Sequence, residues 1–157
     1  MSLKIKPEAL ICALWLSACA QPTVPLPSAE ADQAGILAIF EALDDRSLTV
    51  DAQLLNYAPD AVILVPNERE IRGTDAVRQH LSEFGTAVDI TTRHEIVEQK
   101  SYADVVIVQG RVVGTATPDG DPNTYPFETK NVIVFDRTED NGLKISKVIY
   151  NAAPAPE

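Results

Sequence analysis

Between residues 30 and 60 apolar residues recur every three or four positions, whereas beyond residue 88 they recur at every second one. That change of period divides the chain into a helical half and a stranded half. Ile36, Ile39, Phe40 and Leu43 form one stripe of a helix that Ser28 caps, with Glu30 in its first turn, and Asp44-Asp45-Arg46-Ser47 ends it. A short second helix starts at Thr49 or Asp51 and runs through Leu54, Leu55 and Tyr57 until Pro59-Asp60 breaks it. Ala61-Val62-Ile63-Leu64-Val65 is a continuous apolar run, the pattern of a strand buried on both faces. Pro66-Asn67-Glu68 turns the chain and Glu70-Ile71-Arg72 returns it. A third helix follows, capped by Thr74 or Asp75, with Val77, Leu81 and Phe84 as its buried stripe and Gly85 as a left-handed C-terminal cap.

The rest reads as four strands: Val88 to Lys100, Val105 to Thr117, Tyr125 to Arg137 and Leu143 to Tyr150. Gly110 and Gly114 mark bulges or bends in the second of these. Ser101 to Asp104, Pro118 to Asn123 and Glu139 to Gly142 are the connecting turns. Helices first and a long meander afterwards predict an α+β fold, with three N-terminal helices packed on a strongly bent antiparallel sheet.

The N-terminus carries a different signal. Lys4 and Lys6 precede the apolar run Ala9 to Leu16, which is too short for the about 20 residues that span a bilayer but fits a secretory signal. Leu16-Ser17-Ala18-Cys19 resembles the lipobox of bacterial lipoprotein precursors. The resemblance implies cleavage before Cys19 and lipidation of its thiolate, and several acyl chains anchor stably where one does not. Ala20, rather than Asp, follows the cysteine, which in Gram-negative lipoproteins favours the outer membrane. The expected organisation is a signal peptide over 1–18, a proline-rich tether over 19–31, a folded domain over 32–151 and a flexible tail over 152–157. The expected address is the periplasmic side of a membrane.

Charge narrows the partners. The whole chain has a formal net charge of −10, and beyond residue 18 it holds 11 basic and 22 acidic residues. Such a chain is repelled by nucleic acid. Past Cys19 there is no cysteine left, so no disulfide forms and the core must hold the domain.

Ala61 to Pro66, Ile71-Arg-Gly-Thr-Asp-Ala-Val-Arg78 and Gly142 to Asn151, in this order of elements, resemble the nuclear-transport-factor-2-like superfamily, in its SnoaL-like and ketosteroid-isomerase-like branches. The resemblance implies a cone-shaped α+β barrel with a pocket at its open end, and homodimers through the sheet. It also implies where catalysis would sit. The isomerases' general base lies just before the proline ending the first strand, which is Val65 here, and their oxyanion tyrosine matches Ile39. Neither can move a proton. Ala61, Ile63 and Val65 share a face that the resemblance turns into the cone, giving an apolar wall suited to a small apolar ligand.

These positions lean toward a lipoprotein that binds a small apolar ligand, or a protein partner, without catalysis. The alternatives are an isomerase, dehydratase or cyclase with His94 as base, and a dimeric protein-interaction module. His94 lies mid-strand with no carboxylate partner identifiable from sequence, so a surface or edge position is the plainer reading. His80, one residue off its helix stripe, reads as a boundary side chain. Tyr57, Asn131 and Tyr150 are the polar groups expected at the cavity mouth, and Tyr125 is either there or at a sheet edge. No cofactor is implied, the two histidines lack metal-ligand spacing, and Asp119 to Asn123 lacks the glycine and glutamate of a calcium loop.

Overall fold

The computed structural model describes residues 27–152. Cys19, the lipobox and most of the tether lie outside them. Helices α1 (Ala29–Asp44), α2 (Val50–Leu54) and α3 (Thr74–Ala87) combine with strands β1 (Tyr57–Leu64), β2 (Ile71–Arg72), β3 (Val88–Ser101), β4 (Val105–Pro118), β5 (Tyr125–Arg137) and β6 (Leu143–Ala152). The fold is α+β, with one six-stranded sheet in the order β2-β1-β6-β5-β4-β3.

Two architectural expectations need correction. The sheet is mixed: β3 to β6 form an antiparallel meander, but β1 lies parallel to β6. The helices are not a single N-terminal group either, because β1 and β2 come before α3. Helix α3 leaves from β2 at one sheet edge and delivers the chain to β3 at the other. It therefore crosses the sheet face and roofs the space beneath.

Local boundaries follow side-chain chemistry. Ser28 caps α1 by accepting a hydrogen bond from the Ala31 N–H at 3.2 Å, so Ala29 to Ala31 belong to the helix rather than to the tether. Helix α2 stops at Leu54, and Tyr57 opens β1 instead of ending α2. Strand β1 passes through Pro59 and Asp60, both exposed; its parallel pairing with β6 is irregular between Tyr57 and Val62, which leaves room for a residue without an N–H. No side chain caps α3: Gly73 stands at its N-cap with φ 83°, and the Thr74 hydroxyl donates to the Pro59 carbonyl instead. Gly85 is an ordinary helical residue and α3 continues to Ala87.

The bulges also fall elsewhere. One lies on β3 between Ile96 and Glu98, opposite Gly110, and another on β6, where Ser146 is left over between the pairs Val134–Lys147 and Phe135–Ile145. The Ser146 hydroxyl donates to the Val134 carbonyl and to Asp136. This extra residue shifts the alternation, so Ile145 and Val148 both face the helices. Gly114 serves close approach rather than bulging, since a Cβ there would overlap the Thr91 carbonyl oxygen of β3.

The main core packs Ile36, Ile39 and Phe40 of α1 on Val106, Val108, Ile133, Phe135 and Ile145 of the sheet. Fully burying each such side chain stabilises by about 1.5–3 kcal/mol. A second cluster joins Leu54, Ile63 and Val77 beneath α2 and α3. The end of α3 is different: residues 82–87 are all exposed.

One charged pair is buried with the core. Asp32 in the first turn of α1 is 2% exposed and takes two hydrogen bonds of 2.7 Å from the Arg137 guanidinium at the end of β5. Arg137 also donates to the Tyr102 carbonyl at 3.2 Å. The Arg137 hydrogen bonds hold the Asp32 carboxyl below its ordinary value. Replacing Arg137 by Leu strands a buried carboxylate, and urea unfolding of the full chain should show a loss of about 3–5 kcal/mol. A loss below about 1 kcal/mol would show that the pair does not secure the helix.

Candidate active site

Between the helices and the sheet lies a cavity of about 640 Å³. Leu43, Leu48 and Val50 come to it from the first two helices and their link, Leu81 and Phe84 from α3, and Val112, Ile133 and Val148 from the sheet. The wall is therefore mainly apolar, with separate polar groups set into it.

His94 is the foremost of these. The alternation of β3 turns Ile90, Thr92 and His94 to the cavity side. The last residue of α1, Asp44, meets them there. His94 Nδ1 lies 2.6 Å from Asp44 Oδ1, the His94 backbone N–H donates to Asp44 Oδ2 at 2.8 Å, and the Thr92 hydroxyl donates to Oδ1 at 2.7 Å. The Phe40 ring lies beside the imidazole at 5.0 Å between centroids. A carboxylate can only accept, so Nδ1 carries the proton in this pair. The neutral ring then keeps its lone pair on Nε2, which has no protein partner among the described residues.

Burial pushes the Asp44 carboxyl upward, but hydrogen bonds from the His94 ring, Thr92 and the His94 backbone, with the nearby imidazole charge, outweigh it. The carboxyl ends below its ordinary value. An ionised Asp44 holds the imidazole in one tautomer and supports its cation once a proton arrives. Such a pair has the arrangement a general base needs, with an oriented lone pair.

His94 stands on the edge strand β3, yet it is not a surface residue: its side chain is 16% exposed and lines the cavity. His80, half-buried as expected of a helix-boundary side chain, also lines it, stacked on Phe84. Ile63, Tyr57, Asn131 and Tyr150 are in the wall as well. Ile39 is not; it is buried in the main core. Nor is Val65, which follows β1 and packs on the second cluster, nor Ala61, buried at 1% exposure. Tyr125 is exposed and its hydroxyl donates to Asp121. Burial raises the Tyr57 phenol to about 12 and also raises that of Tyr150, where Glu68 adds to the effect. Among the described residues, no group of three or more His, Cys, Asp or Glu side chains is arranged to hold a metal ion.

Asp44 and the Asp32–Arg137 pair escape a reading of apolar residues alone. The signal was nevertheless present: Asp32, Ile36, Phe40 and Asp44 follow one another at intervals of four along a single helix stripe.

A sequence profile of the SnoaL-like domain matches residues 36–147, and the chain belongs to that family. Its fold is shared by a ketosteroid isomerase-like protein from Erwinia carotovora atroseptica, with a TM-score of 0.69 at 18% identity over 79% of this chain and 94% of that one. A hexachlorocyclohexane dehydrochlorinase from Novosphingobium barchaimii gives 0.67 at 14% identity, covering 78% and 87%. A protein assigned as a dehydratase of the nuclear-transport-factor-2-like family, from Streptomyces avermitilis, gives 0.66 at 16% identity, covering 80% and 97%. At these identities the likeness shows the fold alone. No curated protein matches the sequence.

Replacing Asp44 by Ala removes the acceptor of three hydrogen bonds and should cost about 1–3 kcal/mol. The Asp44 carboxyl is lowered in the folded state, so its contribution is present above its unfolded value near about 4 and is lost as pH falls below it. Urea titrations of both proteins should converge in acid. A gap that widens there would contradict the clamp.

Proposed function

We propose that this chain is an enzyme that takes a proton from carbon in a small, largely apolar substrate. His94 is its general base and Asp44 its positioning residue. The single observation that carries this reading is the 2.6 Å contact between His94 Nδ1 and Asp44 inside an apolar cavity, which leaves Nε2 without a protein partner among the described residues. Nε2 accepts the proton, the C–H electron pair becomes a new π bond, and either a leaving group departs with its own pair or the double bond migrates. Dehydrochlorination and dehydration, the reactions named for two of the structural neighbours, are eliminations of this kind.

The apolar residues at Val65 and Ile39 favour a non-catalytic binder only while the base is sought at the ketosteroid isomerase position. Here the candidate base is on β3 and its carboxylate on α1. His94→Gln should lower turnover by about 10²- to 10⁴-fold in a screen of enolisable and β-halogenated or β-hydroxy compounds. Asp44→Asn should lower kcat with little change in KM. Turnover unaffected by His94→Gln, or none in the wild type, would return the chain to ligand binding.

We further propose that cleavage before Cys19 and its lipidation anchor the domain on the periplasmic side of the outer membrane. The motivating observation is the basic, apolar and small-residue order ending in Leu16-Ser17-Ala18-Cys19. Alkynyl-palmitate labelling in a Gram-negative host should mark the wild type and not Cys19→Ala. Equal labelling of both would dismiss the anchor. Val132 and Ile149, cross-strand partners exposed on the outer sheet face, support a homodimer through that face.

A further inference from the structure

Among the described residues that line the cavity, all but four are buried or half-buried. The exceptions are Arg46 and Leu48, on the link between α1 and α2, and Phe84 and Gly85, near the end of α3. They mark the place where the cavity meets solvent. Beside them lies a second hollow of about 430 Å³, this one polar, lined by Thr86, Asp89, Thr117, Asp119 and Asp121. Arg46 and Gly85 belong to the walls of both spaces. A molecule moving from the outer hollow to the inner cavity passes between them.

One charged pair spans this place. The Arg46 guanidinium donates to the Asp89 carboxylate at the start of β3. The two side chains are 55% and 65% exposed. A pair so open to water favours its closed arrangement by no more than about fivefold, and it parts often. The helix on the other side is built to yield. Its first turns are fixed: Val77 is fully buried, Arg78 donates to Asp51 of α2 at 2.9 Å, and Leu81 packs on the second cluster. Beyond Leu81 the side-chain hydrogen bonds stay inside the helix, from Gln79 to Glu83 and from Thr86 to the Glu83 carbonyl. The chain is pinned again at Ala87, whose carbonyl accepts from the Asp119 N–H at 3.0 Å. Gly85 stands in the span between these fixed points. A helical glycine weakens its helix relative to alanine. No neighbour demands it, since nothing lies within 4 Å of the place a Cβ would take, and its φ is not positive.

We propose that this is a gate: the Arg46–Asp89 pair is its latch, residues 82–86 of α3 are its leaf, and Gly85 is the point where the leaf bends. The structure holds the closed state. When the pair parts and the helix bows outward, the inner cavity and the outer hollow join, and the guest enters or leaves. The proposal requires only that the cavity takes a guest, so it stands whether or not His94 acts as a base. A gate controls passage in both directions and leaves the affinity of the occupied cavity alone, whereas a wall contact changes affinity.

Stopped-flow fluorescence of the full chain with N-phenyl-1-naphthylamine, a neutral apolar probe that brightens out of water, measures both rates. Arg46→Met keeps the aliphatic stem and should raise the association and dissociation rate constants together, by about two- to fivefold, with Kd unchanged. Asp89→Ala should do the same from the other side. The exchanged pair, Arg46→Asp with Asp89→Arg, should return both rates to those of the wild type. Salt at about 1 M should speed the wild type toward Arg46→Met and leave that variant as it was. Gly85→Ala should slow both rates together. Wild-type rates in both Arg46→Met and Asp89→Ala, a change confined to the dissociation rate, or no probe binding at all overturns the gate. Rates untouched by Gly85→Ala overturn the bending point and leave the latch.

Discussion

Helix α1 is fastened to the sheet by a carboxylate at each end of its buried stripe. At its start Asp32 grips Arg137 of β5; at its finish Asp44 grips His94 and Thr92 of β3. Twelve residues of helix span about 18 Å, so the two contacts fix position, tilt and rotation where one would fix only a pivot. Between them Ile36 and Phe40 supply the apolar contact. The remainder of the molecule is arranged around this strut: the meander curves against it, and α3 passes from one sheet edge to the other to close the space at its C-terminal end.

The two carboxylates do different work. Asp32 is almost wholly out of water and takes one guanidinium hydrogen bond on each of its oxygens, an arrangement that sets register. Asp44 is partly open and meets an imidazole, a group that can both give and take a proton. The same residue type, on the same stripe, thus secures the scaffold at one end and orients an imidazole at the other. The difference lies in the partner and in access to the cavity.

Much of the fold was legible in the chain because period and punctuation are local. The α1 stripe, the Ser28 cap and the four long strands all came from neighbours within a few positions. What failed depended on distant residues. Gly85 looks like a helix stop until α3 is required to reach the far sheet edge. Val65 looks like a cavity residue until β1 ends at Leu64 and leaves it packed on the second cluster. Ser146 resets the alternation of β6, which no count of apolar residues reveals. Tyr57, Ile63, Asn131 and Tyr150 were recognisable as wall residues, whereas the partner of His94 was not, since Asp44 stands 50 positions earlier, inside what looks like an ordinary polar helix end.

The exposed end of α3 has a separate meaning. Residues 82–87 shelter the cavity, yet they carry almost none of the packing that holds the domain together. Side chains there can be exchanged for others at little thermodynamic cost, because surface changes away from buried networks usually alter stability by no more than about 0.5 kcal/mol. His94 and Asp44, by contrast, join the sheet to the strut and tolerate little. The architecture therefore gives selection two independent dials. One alters what the doorway admits, and the other keeps the imidazole–carboxylate pair behind it, so descendants of such a chain can change their guests without rebuilding the wall.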